Sequence, residues 1–293
     1  MLPTGLLAVL LGASAAFGDL SSSPMVVFSR SGTNLPYTAT WNGSSWSSPT
    51  SMTKVGNAKW VMLKNCPTRN EMACVTFDDS ADTYVMFHNG SSWTTPVEVC
   101  KEGVEPDDRN SDVAYEQSSG DCLIVYYDGG KNKFGYRTYN GSTLSSEVNL
   151  TQSGLTENEI LTLYPKPNSD QIMMITSAIT SSGDPSICAI LWNGTSWGSW
   201  NTLENAGPSN DDECFGFAWE SNSGEGLLVY GENGSSSPRY RTWNGSSWSS
   251  ELSLPSTGGA PWWVKMAADP ASDKIIFGGL DSGNDLNVNV WSG

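Results

Sequence analysis

The sequence is poor in basic residues and in histidine. It has 15 Lys and Arg against 31 Asp and Glu, a net charge of −16, and its one histidine is His88. Nucleic acids are bound by clustered Lys and Arg, so this balance argues against such partners. With one histidine, Ser-His-Asp catalytic triads and zinc sites are also disfavoured. We therefore predict a protein that is not an enzyme and has no cofactor. A glycoside hydrolase needs only two carboxylates, so this activity remains an alternative.

Runs of apolar residues long enough to span a membrane are missing too. The apolar stretch Leu6–Phe17 is too short for a transmembrane helix, so we expect no membrane span. It has the length of a signal-peptide core, and Ala13-Ser14-Ala15 resembles a cleavage site, although no basic residue precedes it. We therefore separate an apolar segment, residues 1–18, from one domain, residues 19–293.

What the sequence does have is an internal repeat about fifty residues long. Six times an aromatic residue or His is followed by Asn-Gly or Ser-Gly, at Trp41, His88, Tyr139, Trp192, Trp243 and Trp291. In four repeats a Trp follows three residues after the Gly, namely Trp46, Trp93, Trp197 and Trp248. A period of this length is typical of propellers and solenoids.

Each repeat predicts four antiparallel strands, most clearly over residues 214–254. Cys214–Glu220 alternates, Leu227–Tyr230 is a short buried run, and Arg239–Trp243 leads into Asn-Gly. Asn-Gly favours a two-residue type I′ turn, so the fourth strand is predicted over Ser247–Leu252. The prediction is an all-β, six-bladed β-propeller whose last blade is incomplete, because the chain ends at Gly293.

The hairpins resemble those of extracellular β-propellers with a W-x-G-x-x-W turn, and partly those of the fucose-binding lectins. The likeness covers only the hairpin of each repeat. Those lectins place an Arg before the hairpin and a Glu on a neighbouring strand to hold the sugar. Arg137 and Arg241 match the Arg position, but the sequence alone shows no matching Glu. The other repeats have different residues there, namely Ala39, Met86, Ile190 and Asn289.

The hairpin tryptophans have two interpretations. They pack between neighbouring blades, or they form one sugar-stacking platform per blade. The candidate binding residues are Trp41, Trp46, Trp93, Trp192, Trp197, Trp243 and Trp248. His88 occupies the position of these aromatic residues and is interpreted as a structural substitute.

Six cysteines in an exported chain predict disulfides. Cys66 and Cys74 flank one predicted hairpin and are the best-supported pair. Cys100 with Cys122, and Cys188 with Cys214, are the next-neighbour assignments, although six cysteines allow fifteen connectivities.

The N-terminal segment leaves three alternatives open. It is a cleaved signal peptide, a strand retained in the same chain, or an element donated to a neighbouring subunit by strand addition. The last repeat ends without its fourth strand, and such an open edge accepts another strand. The candidate subunit contacts are Leu6, Leu7, Val9, Leu10, Leu11 and Trp291.

Two surface features complete the predictions. Acidic groups precede the first strand of three repeats, at 105–108, 157–159 and 211–213, and are either a solvated rim or a cation site, with Ca²⁺ the candidate ion. Seven Asn-x-Ser/Thr sites are candidate glycosylation sites. They are Asn42, Asn89, Asn140, Asn149, Asn193, Asn233 and Asn244.

These features favour a non-catalytic extracellular or cell-surface protein with a structural or adhesive role. The unfinished blade and the apolar segment suggest the repeating subunit of a surface filament, which self-associates or binds a surface partner. A carbohydrate-binding lectin is the alternative.

Overall fold

The structure is a computed structural model that describes residues 24–30, 32–105, 108–150, 154–180, 185–205, 207 and 213–293. These residues form 22 strands in six antiparallel sheets, and no helix occurs among them. The predicted first strand of the first repeat, like residues 1–18, lies outside the described residues.

The first three sheets follow one another along the chain. The first contains β1 (Met25–Ser29), β2 (Pro36–Thr40) and β3 (Thr50–Ser51). The second contains β4 (Ala58–Asn65), β5 (Met72–Asp78), β6 (Thr83–His88) and β7 (Val97–Cys100). The third contains β8 (Ser111–Tyr115), β9 (Cys122–Asp128), β10 (Lys133–Tyr139) and β11 (Val148–Leu150).

The last three sheets repeat this order. The fourth contains β12 (Leu155–Pro165), β13 (Ile172–Thr180), β14 (Pro185–Trp192) and β15 (Asn201–Glu204). The fifth contains β16 (Phe215–Trp219), β17 (Gly226–Tyr230), β18 (Arg239–Trp243) and β19 (Leu252–Ser253). The sixth contains β20 (Pro261–Ala268), β21 (Ile275–Asp281) and β22 (Leu286–Trp291).

This is the strand architecture of a six-bladed β-propeller, as the repeat predicts, and the last blade has three strands. The sheets are called blades one to six below. The buried run predicted at Leu227–Tyr230 forms β17, and β9 and β17 are buried along their whole length. A continuous apolar run forms such a strand because both of its faces lie against neighbouring sheets.

The chain divides into two compact units between residues 153 and 154, each with three blades. In the first unit one apolar cluster joins blades one and two, and another joins blades two and three. In the second unit the clusters join blades four and five, and blades five and six. Within each unit, neighbouring blades therefore bury their apolar residues against each other, which an isolated sheet cannot do.

The predicted fourth strand at Ser247–Leu252 is wrong in its bounds, because regular pairing begins only at Leu252. Trp248 instead pairs with Trp243 as an isolated bridge beside the turn. Next to this bridge the Ser249 N–H donates to the Thr242 carbonyl at 2.8 Å. The Ser249 hydroxyl oxygen accepts the Thr242 N–H at 3.0 Å.

Candidate functional site

The hairpin is built around the side chain of its asparagine. In blade one the Asn42 Oδ1 accepts the N–H groups of Ser44 and Ser45, both at 2.9 Å. The same pattern occurs at Asn89, Asn140, Asn193 and Asn244. The predicted type I′ turn is wrong, because the glycine has a positive φ (+97° at Gly43) and the asparagine does not. The loop has four residues, closed by the asparagine side chain.

The aromatic residues of the hairpins differ in burial. The leading residues His88, Trp192 and Trp243 are buried, whereas Trp41 and Tyr139 are half-buried. Trp192 is 3% exposed, and Trp243 joins the cluster between blades four and five. The second ring lies nearer the surface, and Trp46 is 44% exposed. The ring centroids of Trp192 and Trp197 are 5.4 Å apart. The buried rings of Trp192 and Trp243 thus serve packing, and Trp46 offers aromatic surface.

Blade five carries a polar constellation beside its hairpin. The Tyr230 hydroxyl donates to Glu251 Oε2 at 2.7 Å, and Arg241 Nε donates to the Tyr230 oxygen at 3.2 Å. The Arg241 guanidinium also donates to the carbonyls of Ser249 and Leu203, at 2.9 and 3.0 Å. Glu251 is 28% exposed, so solvent reaches the carboxylate. Burial raises the pKa of Tyr230, so the phenol remains a donor.

Blade three repeats this arrangement. The Tyr126 hydroxyl donates to Glu147 Oε2 at 2.9 Å, and Lys131 Nζ lies 2.9 Å from Glu147 Oε1. Arg137 donates to the Ser145 carbonyl at 3.0 Å, as Arg241 does to Ser249. Burial alone would raise the pKa of Glu147, but hydrogen bonds from Lys131 and Tyr126 hold it below its ordinary value. The carboxylate is therefore ionised at neutral pH.

Sequence reasoning found the two arginines and missed their carboxylates. Glu147 and Glu251 each follow the corresponding Arg by ten residues, within the matching segments Ser-Ser-Glu-Val and Ser-Ser-Glu-Leu. That parallel was the available signal. It is weak on its own because it occurs in only two of the six repeats.

The last blade presents an apolar face to solvent. Leu286, Val288 and Val290 of β22 are 74%, 56% and 64% exposed, and Ile276 pairs with Val290 on the same face. Trp291 points the other way, and its Nε1 donates to Glu220 Oε1 at 2.6 Å. The exposed apolar residues alternate with Trp291 along the strand, and Trp291 as a subunit contact stays a prediction. The predicted contacts from Leu6 to Leu11 lie outside the described residues.

All six cysteines are buried thiols. Cys66 and Cys74 belong to different apolar clusters, since Cys66 packs toward blade three and Cys74 toward blade one. Cys188 and Cys214 share the cluster between blades four and five. The fold therefore does not bring the first predicted pair together, while it brings the third pair into one cluster.

The acidic groups are only partly described. Glu213 is buried and forms an ion pair with Lys265, and Asn158 and Glu159 are buried. Asp107, Asp211 and Asp212 lie outside the described residues. Within the part of the chain that is described, no three His, Cys, Asp or Glu side chains are grouped to hold a metal ion. Ca²⁺ binding stays a prediction.

Comparison with known proteins places the fold but no family. No family model matches the sequence, and no characterised protein matches it. The solved structure of AofleA from Arthrobotrys oligospora is 10% identical, with a TM-score of 0.54 over 92% of this chain and 83% of that one. The Aleuria aurantia lectin, a six-bladed β-propeller that recognises fucose, is 11% identical, with a TM-score of 0.52 over 91% and 90%.

A third similar structure belongs to an enzyme. The α-L-arabinofuranosidase Arb93A from Fusarium graminearum is 12% identical, with a TM-score of 0.53 over 91% of this chain and 88% of that one. A fucose-recognising lectin and an arabinofuranosidase are thus both similar in fold to this chain. Identities this low show the fold alone. Among the described residues there is also no helix that is long and apolar enough to cross a membrane.

Acid is expected to destabilise blade two through His88. Its Nδ1 accepts the Gly90 N–H at 3.2 Å, and burial lowers its pKa. The unfolded chain then binds a proton at higher pH than the folded chain does. This contribution is complete above about pH 6.5 and is lost as the pH falls below it.

His88→Tyr provides the comparison, because Tyr139 fills the same position in blade three. Between pH 7.5 and 5 the Tm of the original protein should fall on the order of 2 °C further than that of the variant. Differential scanning fluorimetry across this range measures both. Parallel curves for the two proteins would rule out the contribution.

Proposed function

We propose that this chain is a non-catalytic, extracellular structural or adhesive β-propeller whose copies join through the last blade. The observation that supports this role is the exposed apolar face of β22. Large apolar patches on a protein surface mark interaction sites. Besides that face, β22 offers an open edge, because no described strand pairs with it beyond β21.

The two faces of the last blade have different roles. Ile275, Phe277 and Trp291 lie on the face that packs against blade five. Ile276 and Val288 lie on the opposite face, at 49% and 56% exposure. β21 has apolar residues on both faces, with Ile275 and Phe277 on one and Ile276 on the other, and such a strand is expected where both faces are covered. The exposed face of the last blade therefore implies a further partner.

We assign that partner to the apolar segment Leu6–Phe17 of a neighbouring copy. Its backbone would extend the sheet along the open edge of β22, and its Leu and Val side chains would cover the exposed face. Each copy donates one segment and accepts another, so the contact is head to tail and generates a filament or a ring. The alternatives remain a segment that seals its own chain and one that is removed as a signal peptide.

The proposal predicts self-association that depends on β22. The double variant Val288→Asn/Val290→Asn replaces two exposed valines by asparagine. Asparagine already alternates with them in β22. We expect the original full chain to form oligomers at micromolar concentration and the variant to remain a monomer, by sedimentation velocity and electron microscopy. Salt should strengthen the association, because it screens the repulsion between copies of net charge −16.

Val148→Asn is the matched control. Val148 is an exposed valine on β11, the outer strand of the complete blade three. This variant should assemble like the original chain. A full chain that is monomeric at every concentration, or a β22 variant that assembles normally, would refute the proposal. A monomer whose Tm falls with the β22 changes would indicate a segment that seals its own chain.

An extracellular location is part of the proposal. All seven candidate glycosylation asparagines are exposed, which supports access to the modifying enzymes. The proposal includes no cofactor and no nucleic-acid partner.

Carbohydrate binding is the second candidate, and the two Tyr-Glu-Arg constellations favour it. Carboxylate and guanidinium groups suit sugar hydroxyls, and in blade five the half-buried Trp248 offers an aromatic surface for the apolar face of a sugar ring. Blade three has Leu144 at that position. Three of the five Arg241 N–H groups already bond to protein acceptors, so a ligand has few free donors. This internal bonding is why we rank the lectin role second.

The lectin role predicts two sites per chain, in blades three and five. Titration with fucose, followed by calorimetry, should show two sites in the original chain and one in Glu251→Gln. Glu98→Gln, on the outer strand of blade two, is the control that should retain both sites. Absence of binding in the original chain, together with an empty glycan array, would reject this candidate.

A further inference from the structure

We propose that Cys66 and Cys122 form a disulfide that joins blade two to blade three. Cys66 follows β4 in the first hairpin of blade two, and Cys122 begins β9 of blade three. Both side chains are fully buried in the same apolar cluster. The Cys66 Sγ lies 3.5 Å from the carbonyl oxygen of Gly120, two residues before Cys122.

Other contacts hold the same two hairpins together. The Arg69 guanidinium donates to the Gly120 carbonyl at 2.7 Å, and the Tyr115 hydroxyl donates to Glu71 Oε1 at 2.9 Å. The arginine and the glutamate also form an ion pair at 3.2 Å. Polar contacts thus hold together the two hairpins that carry Cys66 and Cys122.

The sequence changes at both positions together. In the second unit the hairpin positions that match Cys66 and Cys122 hold Lys166 and Gly226, where blade four meets blade five. Lys166 likewise lies against Gly224, which corresponds to Gly120. Cysteine occupies both positions where blade two meets blade three, and neither where blade four meets blade five.

The competing pairs are disfavoured by geometry. Cys74 pairs with Leu63 and packs toward blade one, on the other face of the sheet from the Cys66 cluster. The Cys100 Sγ contacts the Tyr127 carbonyl at 3.9 Å. Tyr127 lies five residues after Cys122 on β9, a separation of about 17 Å along a strand, which a disulfide does not span.

Bond formation requires an oxidant of the disulfide class, such as oxidised glutathione. Each thiol loses its proton, one sulfur–sulfur bond forms, and the oxidant's disulfide is reduced to two thiols. Burial raises the pKa of Cys122 well above its ordinary value. The thiolate is therefore scarce in the folded chain, and the exchange belongs to the folding chain.

The test is peptide mapping after refolding the full chain in a glutathione redox buffer, with remaining thiols alkylated. Trypsin places Cys66 in residues 65–69, Cys122 in residues 110–131, and both Cys74 and Cys100 in residues 70–101. We expect residues 65–69 linked to residues 110–131. Because refolding takes place in buffer, the result is independent of export and of assembly through β22.

A second measurement tests whether the mapped disulfide stabilises the folded chain or arose by disulfide exchange during sample preparation. A reductant should lower the Tm of the oxidised original chain by about 5 °C or more. The variant Cys66→Ser/Cys122→Ser lacks this bond, so its Tm should not show this decrease. Cys74→Ser is the control and should keep both the linked peptide and the reductant response. Alkylated Cys66 and Cys122, or residues 65–69 linked to residues 70–101, would overturn the proposal.

Discussion

Replacing Trp192 with alanine is expected to lower the free energy of unfolding by about 3–5 kcal/mol. Its ring is almost fully buried at the end of β14 and stacks edge-on against Trp197. Truncation removes the largest aromatic surface of the blade-four hairpin and leaves a cavity. Chemical unfolding in guanidinium, followed by circular dichroism, measures the loss.

Trp46→Ala is the matched control for this prediction. Trp46 occupies the second position of the blade-one hairpin, where 44% of its surface is exposed. Its loss should cost about 1 kcal/mol, because much of the ring already contacts water. Equal losses for the two variants would contradict the assignment of Trp192 to packing and Trp46 to the surface.

The periodic features of this fold were predictable from the sequence. A period of about fifty residues, a buried apolar run in each repeat and an aromatic residue before Asn-Gly specify six sheets. Arg239–Trp243 forms with the predicted bounds. These signals are local, because each depends on neighbouring positions along one strand or one turn.

The features that escaped prediction depend on contacts between strands or blades. Glu251 meets Tyr230 only because the fourth strand returns beside the hairpin. Cys74 faces away from Cys66 because alternate residues of β5 point to opposite sides of the sheet. Asn42 holds its own turn through a side chain, which the Asn-Gly pair alone does not distinguish from a type I′ turn.

The sequence predicted the open edge of the last blade but not which residues of β22 are exposed. The three strands of the last blade agree with the sequence prediction, but the contact made by Trp291 could not be inferred. Its indole bonds to Glu220 in blade five, a contact across the blade boundary that the sequence does not show. Its position then places Leu286 and Val288 on the opposite, exposed face.

Gly226→Ala is expected to destabilise blade five, because the packing between its strands leaves no room for a side chain at this position. A methyl group on Gly226 would lie 2.3 Å from the Phe217 ring. That ring is held by Tyr164 and Trp219, at centroid distances of 5.5 and 5.0 Å. Since the ring cannot move without displacing these neighbours, Gly226→Ala should cost about 3 kcal/mol.

Blade three indicates how the loss is recovered. At the positions of Phe217 and Gly226 it has Val113 and Cys122, which are diagonal neighbours on the two strands, so a smaller residue there accompanies a larger one. Phe217→Val should therefore relieve the clash with the methyl group that Gly226→Ala adds, and the cost of the double variant should be smaller than the sum of the single costs by about 1–3 kcal/mol. A double-mutant cycle in guanidinium measures this coupling. Additive costs would mean that the strain at Gly226 arises from the backbone rather than from the ring, and that the blades do not share one packing rule.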